Sequence, residues 1–289
     1  MKRRLAWGWL ALGLALGARV DACEGPGLHL QVLGSGGAEL AGARAGSGFL
    51  LWRDGRARVL IDAGPGTALR FRESGARFAD LDAVLFTQLH ADHSADITAL
   101  IDYGQSQGRQ RPLSLYGPSG NRYMPSTVGL VRSLFDPVRG AYRHLGDLIS
   151  PQTALTYKLR PLNVLEKPVP SPTIALAADL QATAMPLRKG RAPVLVWRVA
   201  HGSQVAVLGP SRVMAGTFAQ DADILAVSLP APENTEQLAR LVKTANTKHV
   251  LLTQRRTPGS DTETRIVARI RHDAGVRATL AEDLACHAL

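Results

Sequence analysis

The sequence lacks the features that mark membrane, repeat and nucleic-acid-binding proteins. Beyond residue 22 it has no apolar run of the about eighteen residues that a membrane helix needs, and it shows no short-period repeat. Its formal net charge is +10, which could favour anionic substrates or a membrane surface, but the arginines are scattered and form no basic block, which favours a solvated basic surface. Because 45% of the 289 residues are apolar, the chain can bury one substantial core.

The amino terminus has the composition of a secretory signal peptide. Basic residues at positions 2–4 precede an apolar run over residues 5–18, and residues 20–22 provide a small-residue cleavage pattern. The apolar run is too short to span a bilayer comfortably. We therefore expect cleavage near Ala22, a mature domain of residues 23–289, and a secreted or periplasmic location.

The sequence has only two cysteines, and they lie at the two ends of the predicted mature chain, at Cys23 and Cys286. An even number of cysteines in an oxidising compartment favours one disulfide. The alternative is that residues 20–23 form a lipobox in which Cys23 carries a lipid. Because Asp21 fits a lipobox poorly and lipidation would leave Cys286 unpaired, the sequence favours the disulfide.

The most informative segment is Thr87–His93, with the sequence TQLHADH. Two imidazoles and a carboxylate, from His90, Asp92 and His93, follow directly on the apolar run Ala83–Phe86, which predicts a buried strand. Side chains at the carboxyl end of a strand commonly form the functional site of an α/β protein. The cluster therefore indicates a metal site at the end of this strand.

Alternating strand and helix patterns continue along the rest of the chain. Helical spacing of apolar residues predicts helices over Asp96–Gln107, Thr235–Thr244 and Asp261–Asp273. Residues 160–172 contain four prolines and predict a surface connection. Alternating strands and helices of this kind are typical of layered α/β architectures.

The motif resembles the HxHxDH signature of the metallo-β-lactamase fold, with Gln88 in place of the first histidine. Three earlier segments, Leu30–Gly37, Ser47–Trp52 and Val59–Thr67, match the first strands of that family in order, and the likeness covers roughly residues 28–285. It is strongest to the secreted branch with ribonuclease Z-like and arylsulfatase-like topology. The resemblance implies an α/β chain folded as a four-layer αββα sandwich of two related halves.

The resemblance also implies that four of the family's seven metal-ligand positions are substituted here, the first of them at Gln88. Lys189 takes the place of the third histidine, with Arg188 beside it if the register shifts by one residue. Pro210 replaces the bridging aspartate, and Gln254 replaces the last histidine. A protonated lysine about 4 Å from a dication would repel it by roughly 8 kcal/mol at an effective dielectric constant near 20, and proline offers no side-chain donor. We therefore expect no tightly held dinuclear centre.

Three candidate metal ligands remain, namely His90, Asp92 and His93. With Gln254 they could hold one zinc ion, since three protein ligands and a water form a catalytic zinc site. The alternative is a hydrogen-bonded remnant of the site in which the Lys189 ammonium replaces the metal and compensates Asp92. Asp62 is expected to orient the motif loop from behind the ligands.

Two functions from different classes follow from these residues. The first is a secreted pseudoenzyme or weakly active hydrolase homologue that binds a small-molecule or protein ligand and has no tightly bound cofactor. The second is an active mononuclear zinc hydrolase of an ester, lactam or sulfate bond, with Asp92 as the base for a metal-activated water. Processing of transfer-RNA 3′ ends would follow from fold likeness alone, and the predicted signal peptide argues against it. No nucleic-acid partner is expected.

Overall fold

Two seven-stranded sheets form the framework of the molecule. The computed structural model describes residues 23–39, 42–177, 179–187, 191–210, 218–255 and 261–289. The first sheet contains β1 (Leu28–Gly34), β2 (Gly48–Arg53), β3 (Arg56–Ile61), β4 (Ala83–Leu85), β5 (Leu113–Pro118), β6 (Leu159–Val164) and β14 (Cys286–Ala288). The second contains β7 (Ile174–Ala177), β8 (Leu180–Leu187), β9 (Val194–His201), β10 (Gln204–Gly209), β11 (Ile224–Ser228), β12 (His249–Thr253) and β13 (Arg277–Leu280).

Each sheet combines an antiparallel part with a parallel part. The spatial orders are β14-β1-β2-β3-β4-β5-β6 and β13-β12-β11-β10-β9-β8-β7. In the first sheet β1, β2 and β3 are antiparallel. The two-residue turn at Asp54 and Gly55, both with positive φ, joins β2 and β3 as a hairpin. The following strands are parallel because long connections, several of them containing a helix, return the chain to the same edge. The second sheet repeats this plan from β7 to β13.

Helices cover the outer faces of both sheets. They are α1 (Thr67–Glu73), α2 (Ala91–Ser94), α3 (Ile97–Ser106), α4 (Thr127–Phe135), α5 (Thr235–Thr244) and α6 (Asp261–Ala274). Leu100 of α3 and Phe135 of α4 belong to the core on the first sheet, whereas Leu238 of α5 and Ile270 of α6 belong to the core on the second. A third core lies between the sheets and includes the fully buried Trp197. The predicted αββα sandwich is confirmed.

The prediction of a surface connection over residues 160–172 was wrong for its first part. Residues 160–164 belong to β6, in which Pro161 pairs with Leu115 of β5. Proline is tolerated here because β6 is the outermost strand of its sheet, where only one side of the backbone is hydrogen-bonded to a neighbouring strand. The proline content marked an edge strand and not the absence of a strand.

The two ends of the described chain are joined covalently. Cys23 and Cys286 form the predicted disulfide, with their Cα atoms 5.8 Å apart. Cys286 also begins β14, which pairs with β1 through Gln31. The predicted signal peptide lies outside the described residues. Within the part of the chain that the structure describes, no helix is long and apolar enough to cross a membrane.

Candidate functional site

A small cavity lies where the carboxyl ends of strands from both sheets meet. Its volume is about 60 Å³, enough for a few water molecules. It is lined by Asp62 and by four positions that the family resemblance assigns to metal ligands, namely Gln88, His93, Pro210 and Gln254. These four follow β4, β10 and β12, so the fold brings together positions up to 166 residues apart in sequence (254 − 88).

Two contacts between the sheets hold this end of the sandwich together. Trp197 of β9 donates its indole N–H to the carbonyl oxygen of Phe86 at 2.9 Å. The backbone N–H of Leu195 donates to the carbonyl of Thr87 at 2.7 Å. The loop after β4 is therefore attached to the second sheet through its backbone, and the motif side chains start from a fixed position.

Gly64 allows the loop after β3 to contact the motif loop directly. A Cβ atom at this position would lie 2.1 Å from the Asp92 carbonyl oxygen, so any side chain would force the two loops apart. The same carbonyl accepts the N–H of Ser47 at 2.9 Å, and the His93 carbonyl accepts the N–H of Ala63 at 2.7 Å. These contacts set the depth at which His93 enters the cavity.

Asp62 is the buried acceptor that orients His93. It has a φ of +58°, a conformation that aspartate tolerates better than most residues. Its Oδ1 accepts the backbone N–H of Thr87, and its Oδ2 accepts the Thr87 hydroxyl and His93 Nδ1, each at 2.7 Å. Ser47 Oγ is a weaker donor at 3.4 Å. The sequence pointed to Asp62 but not to Thr87, whose only signal was a hydroxyl directly after a buried strand.

The other ring nitrogen of His93 is occupied by Gln254. The amide nitrogen of Gln254 lies 2.8 Å from His93 Nε2. An amide nitrogen can only donate, so Nε2 accepts and the ring proton resides on Nδ1, facing Asp62. The lone pair that would bind a metal is thus used in a hydrogen bond. A protonated His93 would instead face the amide oxygen of Gln254, after the carboxamide turns over.

Opposing effects act on the pKa of His93. Burial lowers the pKa of this imidazole, because the charged form loses its hydration. The Asp62 carboxylate, through its charge and its hydrogen bond, together with the charge of Asp92, outweighs burial and raises the pKa above its usual value. Proton binding at His93 is therefore favoured by the same residue that fixes the ring.

Gln254 is held by an ionic cluster that the sequence did not reveal. It has a φ of +52°, and the next residue, Arg255, donates its backbone N–H to the Ser35 carbonyl at 2.8 Å. The Arg255 guanidinium is 4% exposed and pairs with Glu263 of α6 at 2.8 Å, and it also contacts Glu282. Burial of this pair fixes the backbone that follows β12, and with it the position of the Gln254 carboxamide.

The remaining predicted residues are placed differently. His90 is exposed at the start of α2 and does not line the cavity. Asp92 is partly buried, with Oδ2 at 3.4 Å from His93 Nε2. Lys189 and Arg188 lie outside the described residues, and the pairing of Lys189 with Asp92 stays a prediction.

The side chains that the structure describes around the cavity do not fit a two-metal centre. In the described ranges no three histidine, cysteine, aspartate or glutamate side chains converge in a way that could hold a metal ion. The cavity presents one imidazole, the carboxamides of Gln88 and Gln254, and hydroxyl groups such as that of Ser228. The Asp62 carboxylate also lines it, but its oxygens already accept hydrogen bonds from Thr87 and His93. Pro210 contributes no side-chain donor. Neutral oxygen donors of this kind bind zinc less well than imidazole or carboxylate.

Comparison with known proteins identifies related sequences. Residues 57–253 match the family model described as the β-lactamase superfamily domain. A ribonuclease Z of Clostridium acetobutylicum is 34% identical over 108 residues, which cover 37% of this chain and 35% of that protein. A ribonuclease Z of Haloferax volcanii is 39% identical over 95 residues, or 33% of this chain and 29% of that protein. The chain thus matches about a third of the length of these relatives.

Solved structures share the fold over nearly the whole chain. The metallo-β-lactamase fold protein YhfI from Bacillus subtilis superimposes with a TM-score of 0.67 at 18% identity, covering 90% of this chain and 98% of that one. The short form of human tRNase Z gives a TM-score of 0.63 at 18% identity, covering 89% and 98%. At this level of identity the likeness concerns the fold alone.

Proposed function

The chain belongs to the β-lactamase superfamily, and we propose that it is a secreted member with a degenerate metal centre, which binds a ligand in its cleft. The observation that carries the proposal is that Gln88, Pro210 and Gln254 line the cavity at positions where the family has metal ligands, with the Gln254 amide 2.8 Å from His93 Nε2. The Gln254 side chain is hydrogen-bonded to the His93 imidazole, which is the group that a metal ion would bind. Hydrogen bonds within the protein satisfy His93 on both sides of its ring.

The donor set matters more than the hydrogen bond itself. Breaking one neutral hydrogen bond costs about 1 kcal/mol, which a strong metal site would easily offset. Pro210 and the carboxamides of Gln88 and Gln254, however, stand where the family has imidazole and carboxylate ligands. Those ligands supply most of the binding energy of a zinc site. Weak metal affinity therefore follows mainly from the missing donors.

Secretion is supported by two independent features. The first 22 residues have the pattern of a signal peptide, and the structure contains the Cys23–Cys286 disulfide. Disulfides persist in oxidising compartments and are rare in the reducing cytosol. Amino-terminal sequencing of the exported protein is expected to begin at Cys23.

A mononuclear zinc hydrolase is the second candidate. It is favoured by the 3.4 Å approach of Asp92 Oδ2 to His93 Nε2, since a carboxylate and an imidazole this close could share one ion after Gln254 moved aside. The curated relatives that match the chain are ribonuclease Z proteins, so hydrolysis is the activity to test if zinc binds.

Zinc content separates the two candidates. We expect the purified natural protein, grown with zinc and then dialysed, to contain far less than one zinc per chain. The variant Gln88→His/Lys189→His/Pro210→Asp/Gln254→His restores the missing ligands and is expected to retain zinc through dialysis. Elemental analysis measures both.

The control for this experiment is Gln105→His, on the exposed side of α3. It adds a histidine without approaching the cavity and is expected to leave the zinc content unchanged. One or two zinc ions per natural chain, surviving dialysis, would show that the protein is a metal-binding hydrolase homologue and would overturn the proposal.

A further inference from the structure

A second and larger cleft adjoins the cavity. Its volume is about 290 Å³, and it shares Val194 with the smaller cavity. About half of its lining is apolar, including Pro118, Pro186, Pro193 and Leu195, and the polar half includes Ser119, Asn121 and Glu166. A space of this size, lined by prolines and aliphatic side chains, suits the apolar part of a small organic molecule.

Asn121 lies at the rim of this cleft and connects segments from both halves of the chain. Its Oδ1 accepts the backbone N–H groups of Tyr123 at 2.8 Å and Met124 at 3.1 Å, which turns the loop after β5 back on itself. Its Nδ2 donates to the carbonyl oxygen of Arg191 at 2.8 Å, in the segment before β9. Asn121 also lines the cleft, so its hydrogen bonds fix the rim relative to the residues that line the cleft.

Two guanidinium groups converge at this rim on one aromatic ring. The Arg122 guanidinium lies 4.6 Å from the centre of the Tyr123 ring, and that of Arg191 lies 5.6 Å from it. Arg122 also donates to the Tyr123 hydroxyl. Tyr123 remains 49% exposed, so the group is open to solvent and to a ligand.

The positive charge at the rim lacks a compensating carboxylate. Among the residues that the structure describes, no aspartate or glutamate lies within ion-pair distance of Arg122 or Arg191. Contacts of an exposed cation with an aromatic ring stabilise it only weakly. Two like charges that contact the same ring from separate loops would be stabilised further by an anion, and the guanidinium fork matches an oxyanion in particular.

We propose that this cleft binds a small organic anion, with its carboxylate or similar oxyanion held by Arg122 and Arg191 and its apolar body in the cleft. The inference rests on the proposed ligand-binding function and names the class of ligand. Glu166 also lines the cleft, so the anionic group is expected at the rim and the apolar part inside.

The experiment is calorimetric titration of the mature protein, treated with EDTA, with 2-naphthoate. Its neutral analogue 2-naphthamide lacks the charge, and acetate lacks the apolar body. We expect 2-naphthoate to bind at least about tenfold more tightly than either, because a hydrogen bond to a charged group contributes about 1.5–3 kcal/mol. Raising the salt concentration is expected to weaken naphthoate binding and to leave naphthamide unaffected.

Two variants test whether Arg122 and Arg191 supply the positive charge that binds naphthoate. Arg122→Gln and Arg191→Gln are each expected to weaken naphthoate binding about tenfold. The matched control is Arg56→Gln, which removes the same charge from an exposed site at the start of β3. The parallel strands β3, β4 and β5 place this site at the amino ends of the strands, whereas the cleft lies at the carboxyl end of β5. Thermal unfolding of each variant shows whether it is folded.

Equal affinity for naphthoate and naphthamide, or naphthoate binding that both arginine variants leave unchanged, would overturn the inference. Absence of naphthoate binding in a protein without zinc would refute the anion site and leave the degenerate metal centre intact. Naphthoate binding to a protein that retains zinc would support the anion site and refute the degenerate centre.

Discussion

The carboxylate of Asp62 is 1% exposed and accepts hydrogen bonds from the backbone and the hydroxyl of Thr87 and from the His93 imidazole. These three close donors, and the more distant Ser47 hydroxyl, therefore depend on one side chain. Removing its charge leaves those donors buried with a poorer acceptor, which costs more than the net energy of the bonds themselves. The position of His93 in the cavity follows from this one residue.

Asp62→Asn is expected to lower the free energy of unfolding by about 3 kcal/mol, because its amide nitrogen would face groups that also donate. Urea denaturation followed by circular dichroism measures this loss. Asp102→Asn, on the exposed side of α3, removes the same charge and is expected to change stability by less than about 0.5 kcal/mol. Equal effects of the two substitutions would contradict the role given to Asp62.

At the scale of elements, a buried ion pair connects the segment that follows β12 to α6. Arg255 and Glu263 are 4% and 3% exposed and form a buried ion pair. Such pairs contribute little net stability, but removing one partner leaves the other charge in a site of low dielectric constant. The pair therefore specifies where the segment lies, and Gln254 is positioned as a consequence.

Arg255→Leu is expected to lower the free energy of unfolding by roughly 3 kcal/mol or more, because it takes the guanidinium away from the buried Glu263 carboxylate. The double substitution Arg255→Leu/Glu263→Leu is expected to recover much of that loss. Arg269→Leu, which breaks a largely exposed pair with Asp273 on the same helix, should cost less than about 1 kcal/mol. Urea denaturation of the four proteins tests the argument, which fails if the double variant is no more stable than Arg255→Leu.

At the scale of the whole molecule, the two sheets meet near the disulfide through a pair of histidines. His249 begins β12 of the second sheet, and His287 lies in β14 of the first, next to Cys286. Their ring centres are 5.5 Å apart. Both pKa values are lowered, chiefly because burial disfavours the charged form. This junction between the sheets therefore requires neutral imidazoles.

Stability is expected to fall as the pH is lowered through this range. Burial, with the charges of Arg277, His287 and Arg271, lowers the pKa of His249 to about 4, against about 6.5 in the unfolded chain. Between these values the unfolded state binds more protons, so the contribution is fully present above pH about 6.5 and is lost progressively toward pH about 4. His249→Gln, which can still bond Thr279, is expected to remove a penalty on the order of 2 kcal/mol at pH 5.

The measurement is the free energy of unfolding of both proteins at pH 7 and pH 5. His272→Gln is the control, because this histidine is largely exposed at the end of α6. If the natural protein and His249→Gln lose the same stability between the two pH values, the histidine pair does not control the acid response.

The sequence by itself determined much of the architecture, because its signals are local or follow chain order. Apolar periodicity predicted α5 over Thr235–Thr244 with the observed limits, and the ordered match of segments predicted the sandwich of two sheets. The terminal cysteines predicted the disulfide. The same local reasoning failed at Pro161, because an edge position depends on which strands lie beside it and not on composition.

Only the tertiary structure decided what the motif residues do. His90 and His93 are three positions apart, yet the short helix α2 leaves the first exposed and buries the second. Gln254 meets His93 across 161 residues, and it does so because Arg255, itself paired with Glu263, fixes the backbone after β12. Hydrogen bonds and buried charges between distant segments depend on distances of a few tenths of an ångström, which residue spacing along the chain does not encode.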